Sequence, residues 1–249
     1  MTVGMSTLKE GAVNALKRAA KASLAPFNLT ISRVQPYEAC TLEWVEEAQR
    51  EGMAVNDYIE KDQRKPALSE LESLVFPHLS KASIVCELGP GTGVYTRYLS
   101  RLITDGELHV IDSDSNAIEF LRKHLPANPA VRLYVNSGTS LPFEHRDWVD
   151  LAFCASMFTG GNLSYFCRYV DEFARVLKSG GHCVFDYFDV CTEQGWQGLQ
   201  RNMARKRPIF AYAYHCTETI DKVLNSRGFR VLGRSTTGRG SVFVTAQKI

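Results

Sequence analysis

The sequence predicts an α/β fold, in which a mostly parallel sheet of seven strands has helices on both faces and ends in an antiparallel hairpin. From about residue 83, short apolar runs alternate with segments of helical period, which is typical of βαβ units. The strand candidates are residues 83–88, 107–112, 131–135, 149–154, 182–188, 229–235 and 241–247. A short glycine-containing connection joins the last two candidates and predicts the hairpin.

Helical period recurs between the strand candidates. Residues at three- and four-residue steps share one face in each of three predicted helices: Val94, Tyr98 and Leu102 in the first; Ala117, Leu121 and His124, with Ile118 and Leu125, in the second; and Phe166, Val170, Phe173 and Leu177 in the third. Gly180 and Gly181 are predicted to form the turn that ends the third helix. Residues 1–80 are predicted to form a helical N-terminal extension, and residues 81–249 to form the α/β domain.

Length and composition exclude several classes of protein. The 249 residues are 45% hydrophobic and 22% charged, which is typical of a globular chain with a buried core. The 29 basic and 27 acidic residues give a net charge of +2, which does not favour nucleic acid as a partner. No apolar run reaches the ~18 residues that cross a bilayer, so we expect no stable membrane insertion.

Cysteine usage favours a reducing compartment. The seven cysteines contain no CxxC pair and no spacing typical of metal ligands, and several lie in apolar runs, as Cys86 does after Ile84 and Val85. Residues 1–25 lack the apolar core of a secretory signal. We therefore expect a cytoplasmic protein and predict no metal site.

A glycine-rich turn is the most informative stretch of the chain. An apolar strand leads into Gly89-Pro90-Gly91-Thr92-Gly93, and a helix is predicted to start directly afterwards. Glycines let the backbone approach a ligand closely, and a helix start favours negative or polar groups. We expect a nucleotide-type ligand at this edge of the sheet. Asp112, 25 residues beyond Glu87, ends the second strand and can accept hydrogen bonds from a ribose.

The spacing of the glycines decides between two cofactors. A dinucleotide site requires a third glycine three residues after the second. Here Gly93 comes one position too early, and Val94 stands where that glycine should be. Glu87, two positions before Gly89, would repel a pyrophosphate and attract an ammonium or a sulfonium group. The sequence therefore favours S-adenosylmethionine.

Four motifs in order resemble class I S-adenosylmethionine-dependent methyltransferases. They are Glu87-Leu88-Gly89-Pro90-Gly91-Thr92-Gly93; His109-Val110-Ile111-Asp112; Leu141-Pro142-Phe143 followed by Asp150-Leu151-Ala152-Phe153; and residues 172–181, where Ser179 replaces a proline. The resemblance covers residues 83–188 and extends to the C-terminus. It implies a Rossmann-like fold, methyl transfer, and S-adenosyl-L-methionine as the cofactor.

The resemblance also implies a set of cofactor-binding residues. They are Glu87, Gly89, Pro90, Gly91, Gly93, Asp112, Ser113, Ser137, Gly138, Cys154, Ala155 and Tyr58. Ser137 is a departure, because the family often has an aspartate there that contacts adenine. Asp112 could bind the ribose or could instead cap the helix that follows the second strand. Tyr58 could form a lid over the cofactor together with Trp44, or it could instead pack in the core.

The catalytic candidates follow the fifth strand. His215 could accept the proton that a hydroxyl acceptor loses during methylation, with Thr217 capping the next helix. The alternative is a structural histidine. Asp186 and Tyr187 are the other two candidates, and alternation along the strand points them to opposite faces. A metal site formed by Asp186 and Asp189 is a further alternative.

The acceptor is left open between several classes. Leu16-Lys17-Arg18, Ile31-Ser32-Arg33, Gly195-Trp196 and Tyr214-His215 resemble methyltransferases of bacterial glycan biosynthesis, which supports O-methylation of a sugar or glycan precursor. A basic group could engage a phosphorylated acceptor such as a sugar nucleotide; it comprises Arg201, Arg205, Lys206 and Arg207. A natural product with a phenol or carboxylate is the alternative acceptor.

Two further hypotheses concern partners. Loss of the adenine aspartate at Ser137 would fit a non-catalytic protein that binds the cofactor or acts in assembly. The first predicted helix has one small apolar face, which would suit a homodimer or weak contact with an anionic membrane. That face comprises Val13, Leu16, Ala20 and Leu24.

Overall fold

The computed structural model describes residues 38–62, 67–205, 212–237 and 240–249. Several predicted features lie outside these residues: the first helix with Val13, Leu16, Ala20 and Leu24, the segments 16–18 and 31–33, and Lys206 and Arg207. The described helices are α1 (Glu38–Arg50), α2 (Val55–Asp62), α3 (Ala67–Leu74), α4 (Thr96–Leu102), α5 (Ser115–His124), α6 (Leu163–Val176), α7 (Glu193–Met203) and α8 (Thr217–Ser226), with a 3₁₀ helix at Phe76–His78.

One mixed sheet forms the centre of the domain. Its strands are β1 (Ile84–Leu88), β2 (Glu107–Asp112), β3 (Val131–Val135), β4 (Val149–Cys154), β5 (Leu177–Asp189), β6 (Tyr214–His215), β7 (Phe229–Thr236) and β8 (Ser241–Lys248). Seven strands follow the order β3-β2-β1-β4-β5-β8-β7, parallel up to β5 and antiparallel afterwards. The predicted fold class and the C-terminal hairpin are confirmed. The two-residue β6 is an eighth strand, too short to leave a pattern in the sequence.

Some predicted boundaries were wrong. Helix α4 begins at Thr96, because the chain turns through residues 91–95 before it becomes helical. Helix α6 ends at Val176, and Leu177 already pairs with Val149 as the first residue of β5. Gly180 therefore lies inside β5, where the register with β4 shifts, and it has φ of +81°. Its left-handed conformation belongs to a strand irregularity and does not end a helix.

Hydrophobic residues alternate along the strands and build a core on each face of the sheet. Cys86 and Leu88 of β1 pack with Phe166 and Phe173 of α6 on one face. Val85 lies in the other core, with buried residues of helices α2 to α5 that include Ile59, Leu71, Leu99 and Leu121. No helix of the described part combines the length and hydropathy required to cross a membrane.

Ion pairs and a hydrogen bond connect the helices before β1 to α4 and its N-cap, which follow the glycine turn. The Arg97 guanidinium on α4 lies 2.6 Å from Asp57 Oδ1 and 2.8 Å from Glu60 Oε1 on α2. The Tyr95 hydroxyl donates to Glu70 Oε2 on α3 at 2.6 Å. Helices α2 and α3 therefore pack directly against the α/β core. The predicted boundary between residues 80 and 81 stays a prediction.

Two glycines allow a matched test of the turn. Gly93 has φ of +85°, and an added Cβ would lie 2.5 Å from Cδ2 of the buried Leu121. Gly52 has φ of +66°, but a Cβ there would meet no atom within 4 Å. Both alanine variants should lose about 1–3 kcal/mol from backbone strain, and Gly93→Ala should lose more because Leu121 must repack. Urea unfolding of both variants measures the difference, and equal losses would contradict the packing argument.

Candidate functional site

The glycine turn bends β1 at the carboxyl edge of the sheet. Gly89 has φ of +71°, and its N–H donates to the carbonyl of Ile111 on β2 at 2.9 Å. The Gly93 N–H then donates to the carbonyl of the buried Pro90 at 2.9 Å. A Cβ added to Gly91 would meet no protein atom within 4 Å, so the backbone there faces open space. The turn therefore lies beside the end of β2.

Asp112 is almost fully buried at that end of β2. Its Oδ1 accepts the N–H of Asp114 at 2.9 Å, and burial raises the pKa of the carboxyl group. Asp114 is the N-cap of α5 and accepts the Asn116 N–H at 2.8 Å, but its buried Oδ2 has no hydrogen-bond partner among the described residues. Ser113, between the two acids, is exposed. The helix-cap role considered for Asp112 belongs to Asp114.

Glu87 is the second buried acid at the turn. Its side chain is 2% exposed, and its Oε2 has no hydrogen-bond partner in the part of the chain that the structure describes. Burial, followed by the nearby charge of Asp112, raises the pKa of Glu87 to about 8. In the protein without a ligand, burial therefore favours the neutral form of this carboxyl group.

A cavity of about 260 Å³ opens at this edge, and we call it the Asp112 cavity. It is lined by Leu88, Gly89, Asp112, Ser113, Asp114, Met157, Gly160, Gly161, Tyr165 and Tyr169. Gly89, Asp112 and Ser113 were predicted. The other residues come from the end of β1, from the N-cap of α5 after β2, from the segment after β4 and from α6. Met157 lies beyond the turn that follows β4, so a position directly after the strand did not identify it. The tyrosines resembled core residues of an amphipathic helix.

Nine predicted cofactor residues are not part of this lining, and four of the nine lie in other surroundings. Ser137 is exposed, and its hydroxyl lies 3.2 Å from the hydroxyls of Thr139 and Ser140. Cys154 is fully buried in the core, and Ala155 packs against the opposite core. Tyr58 is buried and donates to Glu47 Oε2 at 3.0 Å, so it packs among the N-terminal helices.

Gly138 is close to the lining without forming part of it. It has φ of +79°, and an added Cβ would lie 3.5 Å from Cβ of Ser113. The remaining predicted residues, Glu87, Pro90, Gly91 and Gly93, form the strand end and turn beside the cavity. The assignment of each of these residues to the cofactor stays a prediction.

A second cavity of about 650 Å³ lies next to the first, and we call it the His215 cavity. Its lining comprises Gly161, Asn162, Leu163, Tyr212, Ala213, Tyr214, His215, Cys216 and Thr219. Gly161 lines both cavities. It has φ of +77°, and an added Cβ would lie 2.8 Å from the ring of Tyr165. The boundary between the two cavities therefore requires glycine.

Pairing of β6 with β5 places His215. Asp189 and His215 are register partners, and the Val190 N–H donates to the His215 carbonyl at 2.9 Å. The imidazole is 8% exposed, burial lowers its pKa, and its buried Nε2 has no hydrogen-bond partner among the residues described. His215 is therefore neutral at pH 7 and can accept a proton.

Asp186 and Tyr187 line neither cavity. Asp186 is fully buried and accepts the Ser156 N–H, while the Tyr187 hydroxyl lies 2.8 Å from Thr217 Oγ1. The predicted Thr217 cap was wrong, because Cys216 is the N-cap of α8 and Thr217 donates to Asp189 instead. Catalytic roles for Asp186 and Tyr187 stay predictions. So does the alternative metal site at Asp186 and Asp189.

Comparisons with known proteins agree with this geometry. Residues 86–185 match the family described as methyltransferase domain. The chain is 27% identical over 143 residues to the malonyl-[acyl-carrier protein] O-methyltransferase of Methylococcus capsulatus. That alignment covers 57% of this chain and 50% of the relative, so the chain spans half the length of the curated relative that it matches.

Solved structures support the fold. A SAM-dependent methyltransferase from Aquifex aeolicus superposes with a TM-score of 0.54 at 18% identity, covering 76% of this chain and 96% of that one. The magnesium protoporphyrin IX methyltransferase of Synechocystis PCC 6803, solved with bound SAH, superposes with a TM-score of 0.60 at 14% identity, covering 78% and 86%. The family match bears out the predicted methyltransferase class. The two solved structures confirm the predicted fold, and one is named as SAM-dependent while the other holds SAH, which agrees with the predicted cofactor.

Removal of the Asp112 carboxylate should weaken cofactor binding. We expect Asp112→Ala to bind S-adenosylhomocysteine about 10- to 100-fold more weakly, because one or two hydrogen bonds to a charged group are lost. Asp105→Ala is the matched control, since Asp105 is an exposed acid outside the cavity. Isothermal titration of both variants gives the comparison, and wild-type affinity in Asp112→Ala would exclude the ribose role.

Cofactor binding should release a proton near pH 7 if Glu87 contacts the ammonium group. The free carboxyl group has a pKa of about 8, and a neighbouring cation lowers that pKa. Affinity for S-adenosylhomocysteine should therefore rise as pH increases towards 8 and fall as it decreases. Titration calorimetry in buffers of different ionisation enthalpy measures the release. Glu87→Gln should abolish it, and the same release in that variant would assign the proton elsewhere.

Proposed function

We propose that this chain, which carries an S-adenosylmethionine-dependent methyltransferase domain, transfers the sulfonium methyl group to an oxygen atom of a small acceptor in the His215 cavity. The observation that carries the proposal is the wall that the two cavities share. A cofactor in the Asp112 cavity and an acceptor in the His215 cavity would meet at Gly161. Methyl transfer requires such an approach, with reacting atoms about 3–3.5 Å apart.

The residues around the Asp112 cavity would hold the cofactor. We assign the ribose hydroxyls to Asp112 and the methionine end to Glu87 and the glycine turn. Asp114 adds a buried oxygen without a partner in the described part, at the wall of the same cavity. The sulfonium group is already an activated leaving group, so these residues mainly position it and exclude water.

His215 would act as the base for a hydroxyl acceptor. A hydroxyl group must lose its proton around the transition state, and a neutral imidazole at the cavity wall can take it. Tyr212 and Tyr214 line the same cavity and offer aromatic surface together with hydroxyl groups. A sugar or glycan precursor is the acceptor that this combination and the sequence resemblance favour.

A carboxylate is the second candidate acceptor. The relative from Methylococcus capsulatus is named for O-methylation of a malonyl group, which ends in a carboxylate. Arg205 and Arg201 lie near enough to Tyr214 to oppose the rise in its pKa that burial causes, so positive charge stands close to the cavity. A carboxylate is ionised at pH 7 and needs no base, so its methylation would not depend on His215.

Replacement of His215 distinguishes these acceptors. With a hydroxyl substrate, His215→Ala should lower turnover by about 10²–10⁴ and leave affinity for S-adenosylhomocysteine unchanged. The wild-type rate should fall as pH drops through the lowered pKa of His215, below its usual value of 6.5, because the protonated ring accepts no proton. Steady-state kinetics with labelled cofactor and a panel of sugars, phenols and carboxylic acids measures both effects.

His145→Ala is the matched control, because His145 is exposed and lines neither cavity. It should keep the wild-type rate and pH profile. An undiminished rate in His215→Ala with a carboxylic acid would favour the second candidate. The same rate with a hydroxyl acceptor would exclude His215 as the base.

A further inference from the structure

Two thiols meet at the wall of the His215 cavity. Cys191 follows β5 and Cys216 follows β6, and the Cys191 S–H donates to Cys216 Sγ across only 2.9 Å. Both cysteines are free thiols, and Cys216 lines the cavity. The catalytic scheme above uses neither of them. The pair therefore requires a separate explanation.

The backbone holds the two cysteines side by side. Asp189 and His215 are partners in the parallel pairing of β5 and β6, so Cys191 and Cys216 lie just beyond paired residues of adjacent strands. Such strands are about 4.8 Å apart, which is within the usual range of Cα separations for a disulfide. The Cys191 N–H is also held by Asp189 Oδ1 at 2.9 Å. Closure to the S–S bond length of about 2.05 Å needs only a small movement of two side chains.

We propose that Cys191 and Cys216 form a reversible disulfide that ties the wall of the His215 cavity to the end of β5. The oxidant would be a low-molecular-weight disulfide such as oxidised glutathione. Cys191 is the exposed thiol and would react first. Its thiolate attacks one sulfur of the oxidant, which forms a mixed disulfide and releases one glutathione thiolate. The Cys216 thiolate then attacks Cys191 Sγ and releases the second. Two protein thiols are oxidised, and one glutathione disulfide is reduced to two thiols.

A metal ion is the competing occupant of this position. The two sulfurs and a carboxylate oxygen of Glu218 lie within 4.8 Å of one another. Two thiolates on a tetrahedral zinc ion would be about 3.8 Å apart, given Zn–S bonds of about 2.3 Å. The observed contact is shorter than that, and Glu218 is exposed on the first turn of α8. The geometry favours a sulfur–sulfur bond.

The reaction should be slow at neutral pH. The hydrogen bond with Cys216 raises the pKa of Cys191 to about 11, so little thiolate is present. Slow exchange suits a thiol pair that resists brief oxidation in a reducing compartment and responds to sustained oxidation.

The experiment uses the whole chain, treated for hours with oxidised glutathione and then cleaved with trypsin without reduction. Arg201 and Arg205 are exposed and lie between the two cysteines. We expect the oxidised wild type to lose two titratable thiols and the mass of two hydrogen atoms. Its tryptic fragments should stay joined through Cys191 and Cys216 in a denaturing gel and separate when reductant is added.

Single variants test the assignment. Cys191→Ser and Cys216→Ser should each fail to join the fragments, whereas Cys167→Ser, a half-buried cysteine on α6, should behave like the wild type. Fragments that separate in the oxidised wild type, or a bond to another cysteine, would overturn the proposal. So would stoichiometric zinc in the purified protein that both cysteine variants lose. None of these readouts depends on methyl transfer.

Discussion

The site depends on the parallel pairing of β1 with β2 on one side and with β4 on the other. This pairing brings the carboxyl ends of three strands to one edge. The strand order reverses at β1, because β2 and β3 extend the sheet in one direction and β4 and β5 in the other. A crevice opens where the order reverses, and ligands of open α/β sheets bind there. The hydrogen bond from the Gly89 N–H to the Ile111 carbonyl holds the turn against the end of β2, at the side of that crevice.

At the same edge, three buried acids each have one carboxyl oxygen without a hydrogen-bond partner among the described residues. Oε2 of Glu87, Oδ2 of Asp114 and Oδ2 of Asp186 are all buried without partners among those residues. Unpaired buried oxygens cost free energy, and a ligand that supplies donors or positive charge recovers it. S-Adenosylmethionine carries ribose hydroxyls, an ammonium and a sulfonium group. Positive charge on the cofactor would favour the ionised forms of Glu87 and Asp112, whereas a pyrophosphate would oppose their ionisation, so the electrostatics of the edge select between cofactors that the same fold could hold.

The sequence predicted those strands and turns that depend on the composition of a short segment. The limits of β2, β3 and β4 match the apolar runs, and the turn at Gly89 follows from its composition. The contribution of α6 to the cavity could not be predicted, because Tyr165 and Tyr169 reach it only after that helix packs on the sheet.

After β4, Met157 lines the Asp112 cavity, whereas the predicted residues Cys154 and Ala155 do not. Cys154 still belongs to the buried strand, and the backbone turns at Ser156, with φ of +64°, before Met157 reaches the cavity. A positive φ at a serine leaves no mark in the sequence. Strand β6 also could not be predicted, because two residues are too few to show an alternating hydrophobic pattern. His215 could therefore be proposed from its chemistry, but its strand could not.

Helix α6 explains why two separate ligands could be aligned with the precision that methyl transfer demands. Its first turn contributes Leu163 to the His215 cavity and Tyr165 to the Asp112 cavity, and its N-cap Asn162 accepts the Tyr165 N–H at 3.0 Å. Phe166 and Phe173 anchor the same helix in the core. Both cavities are thus built against one rigid element, and effective concentration depends on such fixed geometry. Gly161, just before that helix, is the only residue that lines both described cavities, and a side chain there would collide with the ring of Tyr165. Glycine therefore lets the backbone pack against this ring at the boundary where the two reactants would meet.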